Sequence, residues 1–332
     1  MEQRIEAEVA ADRFSGAVLV AKDDAPVFAH AYGLADREHE IPNEVSTRFR
    51  IGSMNKMFTA VAIMQLVQDG KLSLADPVGK LIAGYPNQNV ATKVTVENLL
   101  SHTGGTGDIF GPEFDAHRET IRTLSDYVNL YGNRDPEFEP GSRWRYSNYG
   151  FILLGVIIER VTGSSYYDWV AAHVFTPAGM TSTESLPEDQ IVAKRSVGYT
   201  KRDGATAWAS NASWLPYRGT SAGGGYSTVE DLLRFASALR EHKLLDAAHT
   251  DLLTTGKTDV PNGGRYAYGF RDETLTGVRC FGHGGGAFGM NGELAVCDSG
   301  YTIAVLANLD PPAASSVADF VKLRLPGPPV AK

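Results

Sequence analysis

The chain has 332 residues, 43% of them hydrophobic, and can bury a large core in one domain or in two closely packed domains. Its 31 basic and 39 acidic residues give a formal net charge of -8. Because nucleic acids and anionic membranes bind basic surfaces, this balance argues against both as partners. Residues 1–20 lack an apolar secretory core, and no stretch approaches the roughly 20 apolar residues of a membrane span. We expect a cytoplasmic protein, or a periplasmic or secreted one if a leader has been removed.

The predicted elements change in character along the chain. Strand-like runs lie near the N terminus and beyond residue 260, with helices between them and at both ends. The predicted strands are 16–21, 27–32, 47–51, 266–271, 278–282, 292–297 and 301–306. The predicted helices are 4–13, 53–68, 149–161, 166–174, 229–241 and 315–322. Ser227-Thr-Val-Glu230 has the pattern of a capping box for the helix that follows it.

This order predicts an α+β fold with one antiparallel sheet built from distant segments. Helices from the two ends of the chain flank the sheet, and a helical domain is inserted between its strands. We predict a discontinuous sheet domain of residues 1–70 and 190–332, and a mostly helical domain of residues 71–189.

Two cysteines, Cys280 and Cys297, are too few for a disulfide framework in a chain of this length. Both fall on predicted strands and can be cross-strand neighbours, but we prefer two buried thiols to a bridge. The eight histidines never occur as H-x-x-x-H, and no His or Cys cluster has metal-ligand spacing. The sequence therefore implies no metal and no organic cofactor.

One serine matches a known nucleophile pattern in an unsuitable context. Gly219-Thr-Ser221-Ala-Gly223 fits G-x-S-x-G, which requires a sharp turn from a strand into a helix. No apolar strand precedes it, and the next helix starts only near residue 228. We expect this segment to be a glycine loop that closes the floor of a cleft, and Ser221 not to be the nucleophile.

A second serine begins a strongly patterned helix. Ser53-Met-Asn-Lys56 is S-x-x-K, and residues three apart share a helix face, so the Lys56 amine can reach the Ser53 hydroxyl. A serine needs a partner that removes its proton, and lysine can do so only when neutral. Burial and the positive helix start both lower a lysine pKa. Taken alone, a capping serine with a solvated lysine explains the motif equally well.

A tyrosine and an asparagine precede the helix predicted at 149–161. In Tyr146-Ser-Asn148 the phenol can relay a proton to a leaving group, and the amide can both donate to and accept from a substrate. A buried Tyr beside an Asn helix cap is the structural alternative.

A glycine-rich run follows a predicted strand. His283 precedes Gly284, Gly285 and Gly286, which allow a substrate to lie along the strand edge. The N–H groups of Ser53 and Gly286 would form an oxyanion hole. A flexible hairpin loop is the alternative.

The order S-x-x-K, Y-x-N and a basic residue followed by glycines resembles the serine β-lactamase and penicillin-binding-protein-like superfamily. The tyrosine form of the second motif is similar to class C β-lactamases, family VIII carboxylesterases, D-amino-acid peptidases and certain D-Ala-D-Ala peptidases. Four further segments carry the likeness, which spans about residues 10–325: residues 68–77, 99–105, 175–180 and 221–228.

The resemblance implies a catalytic cleft between an antiparallel-sheet domain and a helical domain. It implies that Ser53 attacks the substrate and that Lys56 and Tyr146 share the proton transfers. Asn148 and His283 would then orient an ester, amide or β-lactam substrate. The chain departs from the family at His283-Gly284-Gly285, where β-lactamases carry K-T-G. A lysine there attracts the carboxylate of a β-lactam, whereas a histidine is only partly charged at pH 7, so the departure argues against efficient β-lactam hydrolysis.

Three functions follow, of which we favour the first. It is an ester or amide hydrolase of the carboxylesterase or D-amino-acid peptidase type, with an acyl-enzyme on Ser53. The second is a class C-like β-lactamase or D-Ala-D-Ala carboxypeptidase. The third is a non-catalytic penicillin-binding-like recognition protein.

Overall fold

The computed structural model describes residues 1–202, 205–261 and 263–326. Its strands are β1 Gly16–Lys22, β2 Ala25–Tyr32, β3 Leu34–Asp36, β4 Ile41–Pro42, β5 Phe49–Arg50, β6 Tyr199–Thr200, β7 Ala209–Ser210, β8 Tyr226–Ser227, β9 Thr258–Asp259, β10 Arg265–Tyr266, β11 Arg271–Leu275, β12 Val278–Ala287, β13 Met290–Cys297 and β14 Tyr301–Ala307.

The helices are α1 Glu2–Ala10, α2 Asn55–Gln68, α3 Val78–Leu81, α4 Gln88–Lys93, α5 Val96–Leu100, α6 Pro112–His117, α7 Leu124–Tyr131, α8 Asn148–Thr162, α9 Tyr166–Val170, α10 Thr176–Ala178, α11 Val229–Arg240, α12 Ala247–Thr254 and α13 Ala313–Lys322. A 3₁₀ turn, Gly52–Met54, leads directly into α2. None of the described helices is long and apolar enough to cross a membrane.

The strands from the two ends of the chain form one eight-stranded sheet in the order β2-β1-β14-β13-β12-β11-β10-β9. Every described pairing in it is antiparallel. The predicted α+β fold, with a sheet assembled from distant segments, is confirmed. The division into domains at residues 70 and 190 stays a prediction, and its last six positions, 327–332, lie outside the described residues.

Alternation along the strands gives the sheet two buried faces. Val18 and Val305 pack on one face with side chains from α1 and α13. Leu19 and Leu294 point to the other face, where the larger core contains α2, α8 and α11. Because successive strand residues alternate in direction, a strand buried on both sides must be apolar throughout. Strands β1 and β14 come close to this requirement, with Lys22 and Thr302 as their polar or charged residues besides Tyr301. Helix α2 is held between the sheet and α8.

Two local predictions are wrong. Residues 266–271 are not one strand: β10 ends at Tyr266, a turn follows, and β11 begins at Arg271. Gly269 makes this turn with φ +74, and a Cβ there would lie 2.6 Å from the Ala60 Cβ, so the chain passes close to α2. The capping residue of α11 is Thr228, whose side chain accepts from the Asp231 N–H, and Ser227 belongs to β8.

The preferred interpretation of the cysteines is also wrong. Cys280 and Cys297 stand opposite each other in the register of β12 and β13, their Cα atoms are 4.0 Å apart, and their sulfurs form a disulfide. Directly opposed residues on antiparallel strands are the closest pairs in a sheet, which allows such a bridge. Both cysteines lie in the core against α13, on the face of the sheet away from α2.

Candidate active site

The turn before α2 holds Ser53 at the edge of a cleft. Gly52 has φ +53, a conformation that favours glycine, and it directs the chain from β5 into the helix. A Cβ on Gly52 would lie 3.0 Å from the Gly286 backbone nitrogen, so the turn packs closely against β12. Ser53 itself is partly exposed and lines two adjoining cavities.

Lys56 lies one helical turn beyond Ser53 and is fully buried. Its Nζ is 3.2 Å from Ser53 Oγ and 2.7 Å from Asn148 Oδ1, and it also donates to the Ala222 carbonyl oxygen. A neutral lysine amine has two N–H donors and one lone pair. The asparagine and carbonyl oxygens accept the two donors, which leaves the lone pair for the Ser53 hydroxyl.

Burial favours this neutral form. The absence of solvent around Lys56 lowers its pKa to about 7, although the negative charge of Asp108 acts in the opposite direction. Among the histidines nearby, His102 and His283 are buried with lowered pKa values and are therefore neutral at pH 7. About half of the Lys56 amines can then accept a proton at pH 7.

Tyr146 lies beside the same pair of residues. Its ring centroid is 4.7 Å from Lys56 Nζ. Burial raises the pKa of Tyr146, and a hydrogen bond with the Ser53 side chain only partly opposes the shift. Tyr146 is therefore a neutral phenol at pH 7 and can donate its proton. The neutral amine of Lys56 is the group that can accept one.

Asn148 begins α8, and its side chain has partners at both ends. Oδ1 accepts from Lys56, and Nδ2 donates to both carboxylate oxygens of Asp108, at 3.0 and 3.2 Å. The sequence predicted that this amide orients a substrate. Asn148 lines the larger cavity, and its substrate-orienting role stays a prediction. Ser147 rather than Asn148 caps the helix by accepting from the Gly150 N–H.

His283 lies on β12 and is 5% exposed. Its Nδ1 contacts the Gly284 carbonyl oxygen, which can only accept, so Nδ1 carries the proton. Nε2 therefore accepts from the Tyr266 hydroxyl at 3.0 Å. Burial lowers the pKa of His283 to about 3, with the nearby Lys56 contributing in the same direction. The expected partial charge at pH 7 is wrong, and this position is uncharged.

The three glycines after His283 bring β12 against the Ser53 turn. A Cβ on Gly285 would overlap the Ile51 carbonyl oxygen and lie 3.1 Å from the Ser53 backbone nitrogen. Gly284 and Gly286 each line the smaller cavity. Only glycine at position 285 permits this approach, which brings the strand edge next to Ser53.

Two cavities meet at Ser53 and Tyr146. The larger, about 900 Å³, is bounded largely by apolar and aromatic side chains, among them Phe110, Phe114, Tyr127, Trp214 and Phe288. The smaller, about 460 Å³, follows β12 past His283 and the glycines. A bond held over Ser53 would therefore have room for one substituent on each side.

The G-x-S-x-G serine has no access to either cavity. Ser221 is fully buried, and its side chain packs where Gly155 of α8 has no Cβ. Its neighbours Thr220, Ala222 and Gly223 line the larger cavity. The segment is a loop at the wall of the cleft, and its serine hydroxyl has no hydrogen-bond partner among the described residues.

Three residues at this site were missed from the sequence. Asp108 holds Asn148, Tyr266 donates to His283, and the buried His102 ring lies 4.3 Å from the Tyr146 ring. His102 and Asp108 sit in or just after residues 99–105, which the sequence had marked only as similar to a family. No local pattern distinguishes Tyr266 from a core tyrosine.

Comparison with known proteins gives consistent results. The family profile described as Beta-lactamase matches residues 1–325. Penicillin-binding protein 4* of Bacillus subtilis (strain 168) is 30% identical over 273 residues, covering 78% of this chain and 59% of that protein. The putative penicillin-binding protein PbpX of the same strain is 31% identical over 258 residues, covering 76% and 62%. The chain thus spans about three-fifths of the length of these two curated relatives.

Two solved structures extend the likeness over nearly the whole chain. The penicillin binding protein from Bacillus halodurans has a TM-score of 0.86 and 33% identity, covering 96% of this chain and 99% of that one. The D-stereospecific amidohydrolase from Streptomyces sp. has a TM-score of 0.82 and 29% identity, covering 97% of each chain.

Proposed function

Because the chain belongs to the β-lactamase family of serine hydrolase folds, we propose that it hydrolyses esters or amides through an acyl-enzyme on Ser53. One observation carries the proposal. Lys56, with a pKa of about 7, lies 3.2 Å from the Ser53 hydroxyl where two substrate-sized cavities meet.

Acylation begins with a proton transfer. Neutral Lys56 takes the Ser53 proton as the serine oxygen attacks the substrate carbonyl carbon, and the carbonyl π electrons move onto its oxygen. The backbone N–H groups of Ser53 and Gly286 stabilise this oxyanion. Removing one such donor in known hydrolases costs about 10²–10³ in rate.

Collapse of the intermediate breaks the bond to the leaving group. Tyr146 lines both cavities with Ser53, and its ring centroid is 4.7 Å from Lys56 Nζ. It gives its phenol proton to the departing oxygen or nitrogen and takes one from the Lys56 ammonium. Water then attacks the acyl-enzyme, and Lys56 removes its proton in the same way. The products are a carboxylic acid and an alcohol or amine, and Ser53 regains its hydrogen.

The uncharged His283 bears on the substrate class. A β-lactam or a C-terminal D-alanine carries a carboxylate, and a fixed positive charge at this position would attract it. With its pKa lowered to about 3, His283 supplies none. Esters and aminoacyl amides need no charge at this position, and we favour them for that reason, although Arg271 also lines the smaller cavity. The likeness to a D-stereospecific amidohydrolase supports D-aminoacyl amides as one class to test.

Activity-based labelling and parallel substrate assays test the proposal. A fluorophosphonate should label Ser53, as mapped by mass spectrometry, and Ser53→Ala should abolish both labelling and hydrolysis. Ser221→Ala should retain most of both, because Ser221 is buried away from the cavities. Absence of labelling at Ser53 would overturn the acyl-enzyme and favour a recognition protein.

The substrate comparison uses a short-chain nitrophenyl ester, D- and L-aminoacyl amides, and a chromogenic cephalosporin. We expect kcat/KM for the ester or for a D-aminoacyl amide to exceed that for the cephalosporin. A higher kcat/KM for the cephalosporin would instead assign β-lactamase activity to the same residues.

The disulfide suggests a compartment for this reaction. Cys280–Cys297 would persist in an oxidising environment, whereas cytosolic thiols are kept reduced. We therefore propose that the chain works outside the reducing cytosol, in place of the cytoplasmic location expected from the sequence. Fractionation of the native host, followed by detection of the protein, tests this assignment.

A further inference from the structure

Asp108 lies outside every motif of the proposed reaction, yet both of its carboxylate oxygens contact Asn148. The Asn148 Nδ2 lies 3.0 Å from Oδ1 and 3.2 Å from Oδ2 of the carboxylate. The other end of the same amide accepts from Lys56 at 2.7 Å. One asparagine side chain therefore connects the carboxylate to the buried amine.

An asparagine amide can be turned by 180° at little cost unless its partners distinguish oxygen from nitrogen. Here the carboxylate accepts only and requires the Nδ2 end. Turning the amide would place Oδ1 against the carboxylate and two N–H groups against Lys56. The charged acceptor therefore imposes a single orientation, in which Oδ1 faces Lys56.

Asp108 is itself fixed by its loop. Its Oδ1 accepts from the backbone N–H groups of Ile109 at 2.6 Å and Phe110 at 3.2 Å. Its own carbonyl oxygen accepts from Arg134 at 2.9 Å. The Ser147 hydroxyl donates to the Gly107 carbonyl oxygen at 2.6 Å, which joins this loop to the start of α8.

We propose that Asp108 is a positioning residue, which orients the Asn148 amide so that the Lys56 lone pair faces the Ser53 hydroxyl. The inference rests on the proposed acyl-enzyme function. With Asn148 Oδ1 and the Ala222 carbonyl oxygen accepting its two N–H groups, the neutral amine has one direction left for its lone pair. Without the carboxylate, the amide is free to turn, and in the turned orientation the amine loses one of these two acceptors.

The charge of Asp108 has a second, measurable effect. Its negative charge raises the pKa of Lys56 against the larger lowering by burial. The other titratable groups facing this amine are Tyr146, His102 and His283, all neutral at pH 7. Removing the carboxylate should therefore lower the Lys56 pKa and move the acid limb of kcat/KM to lower pH.

The test is a double-mutant cycle between Asp108 and Asn148, with ester hydrolysis and fluorophosphonate labelling of Ser53 as readouts. Asp108→Ala should lower kcat and the labelling rate about 10- to 100-fold, as expected for a misplaced proton acceptor, with KM changed little. The cycle is measured above the Lys56 pKa, where a change in that pKa no longer alters the fraction of neutral amine. There, in an Asn148→Ala background, the same change should cost nothing further, because Asp108 orients Lys56 through Asn148.

Asp108→Asn retains the shape of the side chain and provides the pH measurement if Asp108→Ala does not fold. Its acid limb should lie at lower pH than that of the wild type. Asp135 provides the matched control. Its exposed carboxylate lies outside the cleft and also accepts from asparagine amides, in this case those of Asn87 and Asn89. Asp135→Asn should leave kcat and the pH profile unchanged.

Losses that multiply independently in the cycle, or a raised KM with unchanged kcat, would overturn the positioning role. The second result would instead make Asp108 a substrate contact. An unmoved acid limb in Asp108→Asn would equally contradict the inference. A wild-type protein without labelling or turnover would refute the proposed function itself, so the two failures are distinguishable.

Discussion

The pKa of Lys56 gives the most quantitative prediction from this structure. An ordinary lysine with a pKa of 10.5 is neutral in about 0.03% of molecules at pH 7. At a pKa of about 7, half of the molecules have a neutral amine, an increase of roughly 1,600-fold in the reactive form. Burial thus raises the population of the reactive neutral amine by about three orders of magnitude at neutral pH.

The sign of the pH dependence follows from the form that reacts. The base is the deprotonated amine, so kcat/KM should rise about tenfold per pH unit below the Lys56 pKa and level off above about pH 7. Hydrolysis of a nitrophenyl ester should be followed at the isosbestic wavelength, because nitrophenol titrates in the same range. Rates with Ser53→Ala are subtracted at each pH.

Lys56→Arg is the informative companion variant. Its guanidinium stays protonated and cannot accept the serine proton, so we expect no turnover at any pH at which the protein is folded. A wild-type profile that is flat between about pH 5 and about pH 9, or one whose midpoint lies near 10, would refute the assignment of Lys56 as the base.

Two further predictions concern the glycine strand and the disulfide. Gly285→Ala should push β12 away from the Ser53 turn and lower kcat/KM by about 10²-fold. Gly163→Ala, at an open helix end with φ +71, should lower the melting temperature without that loss of activity. The double variant Cys280→Ser with Cys297→Ser should lower the free energy of unfolding by up to about 3 kcal/mol, because the bridge spans 17 residues. It should leave kcat/KM unchanged, because both cysteines lie on the face of the sheet away from α2. A protein whose cysteines are fully alkylated without a reductant would contradict the disulfide.

The sequence predicted the elements whose signals are local. The hairpin of β1 and β2 follows from apolar runs on either side of a polar turn, and α8 follows from its long apolar pattern and the glycine that ends it. It also predicted which motif serine lies in the cleft, because Ser53 precedes a helix directly and Ser221 does not. The family likeness rested on the order of three motifs along the chain.

The errors arose where a feature depends on pairing between distant residues. The disulfide follows from the register of β12 and β13, which a periodic pattern does not specify. The charge of His283 follows from its burial beside Tyr266 and Lys56, although histidine alone suggests partial protonation near pH 7. Asp108 lies 40 residues from Asn148, so no spacing rule connects the two.

The asparagine between Lys56 and Asp108 explains how a buried lysine can be both held and neutral. A carboxylate in direct contact with the amine, at about 4 Å and an effective dielectric constant of about 20, would stabilise the ammonium by about 4 kcal/mol. That equals about three pKa units, enough to cancel most of the net lowering from 10.5 to about 7. The amide of Asn148 passes on the orientation set by the carboxylate while keeping its charge out of contact with Lys56. The carboxylate thus sets the geometry, whereas burial has the larger effect on the pKa, and Lys56 is held in place without being held protonated.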